Sequence, residues 1–272
     1  MLYKLLALDM DGTLLNSEKQ VSQGNLSAIK EAESLGVKVV ISTGRPVEGV
    51  HKFMGILDLK APIVTYHGAI IVNPTDMSVL YQKDLRKEDA LSIMKCGKSL
   101  GTSQCIWSNG RLYALDDSYY VRQYAEHIGA DCIIQKDMDV LANQGITKIL
   151  WNDKPEQTVI NLERVKELIK GEVAFTTSSP QYLEFIDKQV SKGNALAFLG
   201  QYFQIQASEM IAIGDEMNDE SMLKLAGLGV AMENASDTVK SFADYVTLSN
   251  NDDGVAHVIE KFITGGADEN LW

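Results

Sequence analysis

Leu5-Leu6-Ala7-Leu8-Asp9-Met10-Asp11-Gly12-Thr13 decides the fold of this 272-residue chain. Leu5 to Leu8 form an apolar run of the kind that fills a strand buried on both faces. The run ends in two carboxylates spaced i, i+2, then Gly and Thr. Open α/β sheets keep their ligands at the carboxyl ends of their strands, which is where these acids would stand. Side chains at i and i+2 of a strand share a face, so this reading lets Asp9 and Asp11 address one small volume. Two carboxylates in one place resist joint ionisation unless a cation joins them. A hard divalent ion with oxygen ligands, most simply Mg²⁺, answers that need. An ordinary turn after a strand fits Asp-x-Asp-Gly-Thr as well, because Asp and Gly are turn residues. The other strand ends must decide.

Outward from this stretch, strand and helix alternate. A helix is predicted over Asn25 to Leu35, where Leu26, Ile29, Ala32 and Leu35 recur at helical spacing and Gly36 stands at the C-terminal cap. A buried strand, Val37 to Ile41, runs into Ser42-Thr43-Gly44-Arg45-Pro46, and Pro46 suits the first turn of a helix reaching Leu57. A third strand spans Ala61 to Tyr66, and Ile70 to Val72 and Val79 to Tyr81 flank the turn Asn73-Pro74-Thr75-Asp76. This alternation predicts a parallel, doubly wound α/β sheet.

The pattern changes after Lys83. A helix (Lys87 to Leu100) precedes a hairpin turned by Asn109-Gly110, and a second helix (Tyr119 to Ile128) has Ser118 as its N-cap. No pattern stands out between Ile128 and Ile146. Strand Ile146 to Trp151, helix Glu156 to Ile169 and strands Val173 to Thr176 and Tyr182 to Ile186 follow. Hairpins mixed with helices predict an antiparallel α+β unit inserted into the first domain. The boundaries are 1–83 and 188–272 for the core and 84–187 for the insert. From Lys192 the alternation returns: helix Asn194 to Tyr202, strand Met210 to Ile213, helix Ser221 to Ala226, strand Gly229 to Met232, helix Ser236 to Phe242, strand Tyr245 to Leu248 and helix Gly254 to Ile263. The Gly-rich polar tail, Gly265 to Trp272, is expected to fray.

Composition narrows the functional classes. A hydrophobic fraction of 45% and a charged fraction of 23% suit a globular chain long enough for two domains. The net charge of −12 speaks against nucleic-acid and anionic-membrane partners, and an anionic substrate would need local cations. No apolar run approaches the ~20 residues of a membrane span. The apolar run before Asp9 is too short for a signal peptide. Cys96, Cys105 and Cys132 lack CxxC or metal spacing, as packing thiols of a cytoplasmic protein would.

Three predicted parallel strands end in chemistry: Asp9 and Asp11, Thr43, and Asp215 with Asp219 in Gly214-Asp215-Glu216-Met217-Asn218-Asp219. Lys192 stands where the insert rejoins the sheet. Each type has work in phosphoryl transfer. A carboxylate can attack phosphorus, a divalent ion and a lysine neutralise phosphoryl charge, and a hydroxyl with backbone N–H groups holds the oxygens. A second acid protonates the leaving alcohol and later activates water.

Asp9-x-Asp11-Gly12-Thr13, Thr43-Gly44-Arg45, Lys192-Gly193 and Gly214-Asp215-x-x-Asn218-Asp219 resemble the four ordered motifs of the haloacid dehalogenase-like hydrolases. The whole chain resembles the Cof-type (YidA-like) sugar-phosphate phosphatases, whose Rossmann-like core carries a large C2-type α/β cap between the second and third motifs. The resemblance implies a Mg²⁺-dependent phosphatase acting on small phosphorylated metabolites through an aspartyl-phosphate. It implies Asp9 as nucleophile and metal ligand, and Asp11 as general acid/base with its carbonyl on the metal. Thr43, with the N–H groups of Gly44 and Met10, would hold the phosphoryl group, and Lys192 would clamp it to the nucleophile. Asp215 matches the later metal ligand, Asn218 a phosphate contact, and Asp219 the residue that orients the lysine or a metal-bound water. Thr13 is expected to bond the loop backbone after Asp9. Arg45 fits either a substrate contact or a plain helix start. The insert is expected to act as a lid, with specificity residues on loops near Trp107 to Arg111 and Ser178 to Tyr182.

Two positions depart from the family pattern. His67-Gly68-Ala69 stands where the family usually shows Asn-Gly-Ala. Histidine hydrogen-bonds as asparagine does but titrates near neutral pH, so residue 67 has either a substrate-facing or a structural role. Glu216 stands where small or amide residues are common, and supplies a further metal oxygen or points to solvent from a helix start. His51, His127 and His257 read as surface or packing residues. The rival readings are a phosphotransferase or phosphomutase of the same superfamily, a phospho-accepting signalling domain, and a non-catalytic binding module. Neither the phosphorylated metabolite nor the oligomeric state follows from the sequence.

Overall fold

All four residues of strand β1 (Leu5–Leu8) are buried in the computed structural model, which describes residues 2–265. The expected frayed tail past Gly265 lies outside those residues. The chain divides into two units, Met1–Thr43 with Phe53–Leu80 and Ser191–Trp272, and Gly44–Lys52 with Tyr81–Val190. The second therefore takes in Gly44–Lys52, a stretch that the sequence pattern alone assigns to the first.

In the first unit β1 is followed by α1 (Gln23–Ser34), β2 (Lys38–Ile41), α2 (Val47–Leu57, begun in the second unit), β3 (Ile63–Thr65), β4 (Ile70–Val72) and β5 (Val79–Gln82). The second unit adds α3 (Lys87–Leu100), β6 (Ser103–Ser108), β7 (Arg111–Ala114), α4 (Tyr119–Ile128), β8 (Cys132–Ile134), α5 (Met138–Asn143), β9 (Lys148–Asn152), α6 (Pro155–Leu168), β10 (Val173–Ser179) and β11 (Tyr182–Asp187). The first resumes with α7 (Lys192–Phe203), β12 (Met210–Gly214), α8 (Glu220–Leu225), β13 (Leu228–Ala231), α9 (Asp237–Lys240), β14 (Tyr245–Val246) and α10 (Gly254–Ile259).

The main sheet runs β14-β13-β12-β1-β2, all parallel. Leu5 pairs with Met210 on one side and Lys38 on the other, so β1 has a strand on each edge. Each of its leucines, removed from water, contributes roughly 1.5–3 kcal/mol. The chain leaves β1 toward β2 and returns on the other side at β12. Strand order therefore reverses between β1 and β12, which is where such sheets bind ligands. Ser42 bridges Val64 in parallel, so β3 extends the edge beyond β2 and pairs antiparallel with β4.

In the second unit the strands run β10-β11-β9-β6-β7-β8, antiparallel except for the β7–β8 pair. Ile93 and Met94 of α3, Leu141 of α5 and Val165 of α6 pack with Ile106, Ile149, Trp151 and Phe185 of the sheet. The β6–β7 turn is Asn109-Gly110, both at positive φ (49° and 69°), which matches the right-handed strand twist. Trp107, beside the loop expected to carry specificity residues, is buried, and its indole N–H donates to the Tyr124 hydroxyl at 3.1 Å. Lys148 and Glu184 form a buried pair at 3.0 Å. The unpatterned stretch holds β8 and α5. The expected helix to Ile263 stops at Ile259 and continues as a π turn, Glu260–Thr264. No helix among the described residues is long and apolar enough to cross a membrane.

Helix α7, which carries Lys192 as its first residue, is capped by Ser191, whose Oγ accepts from Asn194 N at 3.0 Å. Ser191→Ala should lower stability by about 1 kcal/mol, while Ser191→Thr should stay within a few tenths. Urea unfolding measures both. Equal stability of Ser191→Ala and the parent would contradict this account of the helix start.

Candidate active site

Asp9 follows β1 directly, and its N–H donates to Ile213 O of β12 at 3.0 Å, so the ladder between the two strands places it. Gly214 ends β12 opposite, and Asp215 follows it directly. Lys192 Nζ lies 2.5 Å from Asp9 Oδ1 and 2.6 Å from Asp219 Oδ1, and the side chains of Lys192 and Asp219 are both 0% exposed. Asp219 Oδ2 accepts from the N–H groups of Asp215 and Glu216, each at 3.0 Å. Asp219 thus holds both the lysine and the backbone that presents Asp215.

Thr13 Oγ1 donates to Asp215 Oδ1 at 2.7 Å. The expected tie to the backbone of its own loop is made by the Thr13 N–H, which donates to Met10 O at 3.4 Å, and the hydroxyl adds the bond to Asp215. Gly12 at φ +80° turns the chain so that Thr13 meets the end of β12, and a Cβ at Gly12 would overlap Asp215 Oδ2. The same turn revises the reading of Asp11. Strand β1 stops at Leu8, so alternation along a strand does not position Asp11. Its half-exposed carboxylate instead pairs with Lys19 at 3.0 Å. Met10 is buried, and its carbonyl accepts from Leu15 N at 2.8 Å.

Asp9, Asp215 and Asp219 offer carboxylate oxygens within 4.8 Å of one another, a grouping that could hold a metal ion. Three carboxylates against one ammonium leave two uncompensated negative charges in a buried space. Burial pushes the Asp9 carboxyl well above its ordinary range; Lys192 pulls it partly back, while Asp219 and Asp215 push it further up. Asp215 is raised to about 7 by burial first, with Thr13 opposing and Asp219 adding to the rise. For Lys192 burial works against the charged form, but Asp219 and Asp9 outweigh it, and its pKa rises. The ammonium stays charged while two acids resist ionisation, and this donor set, all oxygen and short of two positive charges, fits a hard divalent ion. Glu216, named as a further metal ligand, is exposed and stands outside this group.

Thr43 is buried two residues past β2; its N–H donates to Val64 O at 2.9 Å, and its carbonyl accepts from His67 N at 3.0 Å. Gly44 and Arg45 fall in the second unit, where Arg45 Nη1 donates to Gly49 O at 3.1 Å and Lys148 Nζ donates to Gly44 O at 3.4 Å. Asn218 Nδ2 lies 3.2 Å from His67 Nδ1. The sequence carried no signal for Lys148, and only a departure from a pattern for His67.

Residues 6–259 match the family described as haloacid dehalogenase-like hydrolase, and the chain belongs to it. It is 33% identical to the Bacillus subtilis 5-amino-6-(5-phospho-D-ribitylamino)uracil phosphatase YcsE, over 96% of each chain. It is 30% identical to the Bacillus subtilis phosphatase YwpJ, over 96% of this chain and all of that one. Among solved structures, a haloacid dehalogenase-like hydrolase from Bacteroides thetaiotaomicron superposes with a TM-score of 0.84 at 30% identity, over 95% of this chain and 98% of that one. The chain is accordingly a phosphoric monoester hydrolase with the α/β fold and the Cof-type character that its motifs resemble.

The raised acids have a measurable sign. A carboxyl raised in the folded state keeps more protons folded than unfolded, so its contribution to stability is lost as pH rises from about 4 through about 7. In chelator, Asp215→Asn should therefore gain stability over the parent as pH rises through that window. Near pH ~8 millimolar Mg²⁺ should raise the melting temperature of the parent more than that of Asp215→Asn. A gap that does not change with pH, or an equal Mg²⁺ response, would contradict this electrostatic account.

Proposed function

We propose that this haloacid dehalogenase-like hydrolase is a Mg²⁺-dependent phosphatase that cleaves phosphate monoesters of small metabolites, sugar phosphates foremost, through an aspartyl-phosphate on Asp9. The observation that carries the reading is the buried Lys192 ammonium shared by Asp9 and Asp219 beside Asp215. A lysine held at both sides by carboxylates keeps its charge and its place, ready for phosphoryl oxygens bound next to Asp9. The identity to YcsE supports a sugar-like substrate, since that relative is named for a phosphate on a ribityl chain.

In the first step an Asp9 carboxylate oxygen attacks phosphorus, the bond to the leaving oxygen breaks, and Asp11 gives that oxygen its proton. Lys192 neutralises charge on the phosphoryl oxygens, and the Thr43 hydroxyl and the Asn218 amide hold them. Asp219 keeps Lys192 aimed, and Thr13 keeps Asp215 aimed. In the second step Asp11 takes a proton from water as its oxygen attacks phosphorus, which frees inorganic phosphate and Asp9. The partly exposed carboxyl of Asp11 can exchange protons with solvent between steps. Mg²⁺, held by Asp9 and Asp215 with the Asp11 carbonyl, would supply the missing positive charge against the phosphoryl group.

Free phosphate from p-nitrophenyl phosphate and from a panel of sugar and polyol phosphates tests this reading. Turnover should require Mg²⁺, vanish in chelator, and fall at least about a thousandfold in Asp9→Asn, the scale expected for loss of a nucleophile. Activity persisting in Asp9→Asn would overturn the assignment. Alcohol release without stoichiometric phosphate would point to transfer to another acceptor.

A further inference from the structure

The loop Tyr66-His67-Gly68 touches three of the four motif regions. His67 N–H donates to the Thr43 carbonyl at 3.0 Å, and Thr43 N–H donates to Val64 O at 2.9 Å, so the loop and the Thr43 strand end are stitched together. Gly68 at φ +109° packs against Ser191, where any Cβ would overlap the Ser191 carbonyl. Ser191 caps the helix that begins at Lys192. The His67 ring, 4% exposed, reaches the fourth motif through its Nδ1, 3.2 Å from Asn218 Nδ2. Tyr66 (φ 51°) and His67 (φ 60°) both adopt left-handed backbone, which turns the loop out of β3 and toward these neighbours.

We infer that His67 is a positioning residue, holding the Asn218 amide in the orientation that presents it to the phosphoryl group. This rests on the phosphatase reading, in which Asn218 contacts that group. With the amide nitrogen as donor, His67 Nδ1 is the acceptor, the arrangement of the imidazole tautomer that carries its proton on Nε2. With the ring proton on Nε2, turning the amide over would set Oδ1 against the Nδ1 lone pair, so this tautomer of His67 favours one of the two amide orientations. The choice matters because Asn218 Oδ1 is buried and accepts no hydrogen bond among the described residues. In the observed orientation Nδ2 keeps a second N–H, the kind of donor a phosphoryl oxygen requires. Asparagine, usual in the family at this position, carries Oδ1 on Cγ just as histidine carries Nδ1 on Cγ. Either side chain can place an acceptor at the same point, and both tolerate left-handed backbone.

The test is a double-mutant cycle on the full chain with Mg²⁺, measuring kcat/KM for p-nitrophenyl phosphate and, by calorimetry, affinity for inorganic phosphate. His67→Ala and Asn218→Ala should each lower both by about tenfold, the worth of one hydrogen bond. The double variant should be no worse than Asn218→Ala alone, because His67 acts only through Asn218. His67→Asn should recover most of the loss. Should His67→Ala fail to fold, His67→Gly removes the ring while accepting the backbone angle. Additive losses, about a hundredfold in the double variant, or a His67→Asn variant as impaired as His67→Ala, would overturn the inference. Phosphate affinity showing the predicted pattern in a parent without Asp9-dependent turnover would support the positioning role while rejecting the phosphatase reading.

Discussion

A single buried ammonium, that of Lys192, is the contact on which the site depends. It lies 2.5 Å from Asp9 and 2.6 Å from Asp219, with no exposure of its own side chain. Such an arrangement is poor evidence for stability, since desolvating charges offsets much of their attraction, but removing one partner typically costs 3–5 kcal/mol. Its physical consequence is electrostatic order. The lysine is obliged to stay charged, Asp219 is committed to it, and Asp9 keeps one oxygen engaged and one to use. Asp215, held by the Thr13 hydroxyl, is left as an acid whose charge a cation would stabilise.

The parallel sheet makes this possible. Residues some two hundred positions apart meet because β1 and β12 are hydrogen-bonded neighbours at the point where strand order reverses. The loops beyond the strand ends then cross-link one another. Gly12 passes close to Asp215, Gly68 close to Ser191, and His67 joins the Thr43 backbone to the Asn218 side chain. A displacement in one loop is therefore felt at several of the proposed catalytic groups. Few contacts here can be relaxed independently.

Much of this was legible in the sequence because it followed local rules. Helix Tyr119–Ile128 begins after the Ser118 cap and ends at left-handed Gly129 as its pattern requires, and Asn109-Gly110 makes the expected hairpin. The alternation of apolar runs with helical periods predicted the parallel core. Strand β8 and helix α5 escaped because β8 is three residues long and α5 six, too short for periodicity to register. The hydrogen bond from the buried Trp107 indole to Tyr124, seventeen positions away, was not legible either. At the site, the identities of the acids were plain but not their geometry. Two carboxylates at i, i+2 implied one shared face, yet the strand ends before them, and Asp11 turns toward Lys19. Asp219, grouped with Asp215 in the sequence, joins the acid group through a 3₁₀ turn, Met217–Asp219, between β12 and α8.

The most direct measurement of the central claim is chemical trapping of the intermediate. The enzyme, mixed with Mg²⁺ and a phosphate monoester and quenched in acid after milliseconds, is reduced with borohydride and its peptides are mapped by mass. An acyl phosphate on Asp9 is reduced to homoserine, so the account predicts homoserine at position 9, dependent on substrate and absent from Asp9→Asn. Turnover with an unmodified Asp9, or with the modification at another residue, would contradict it.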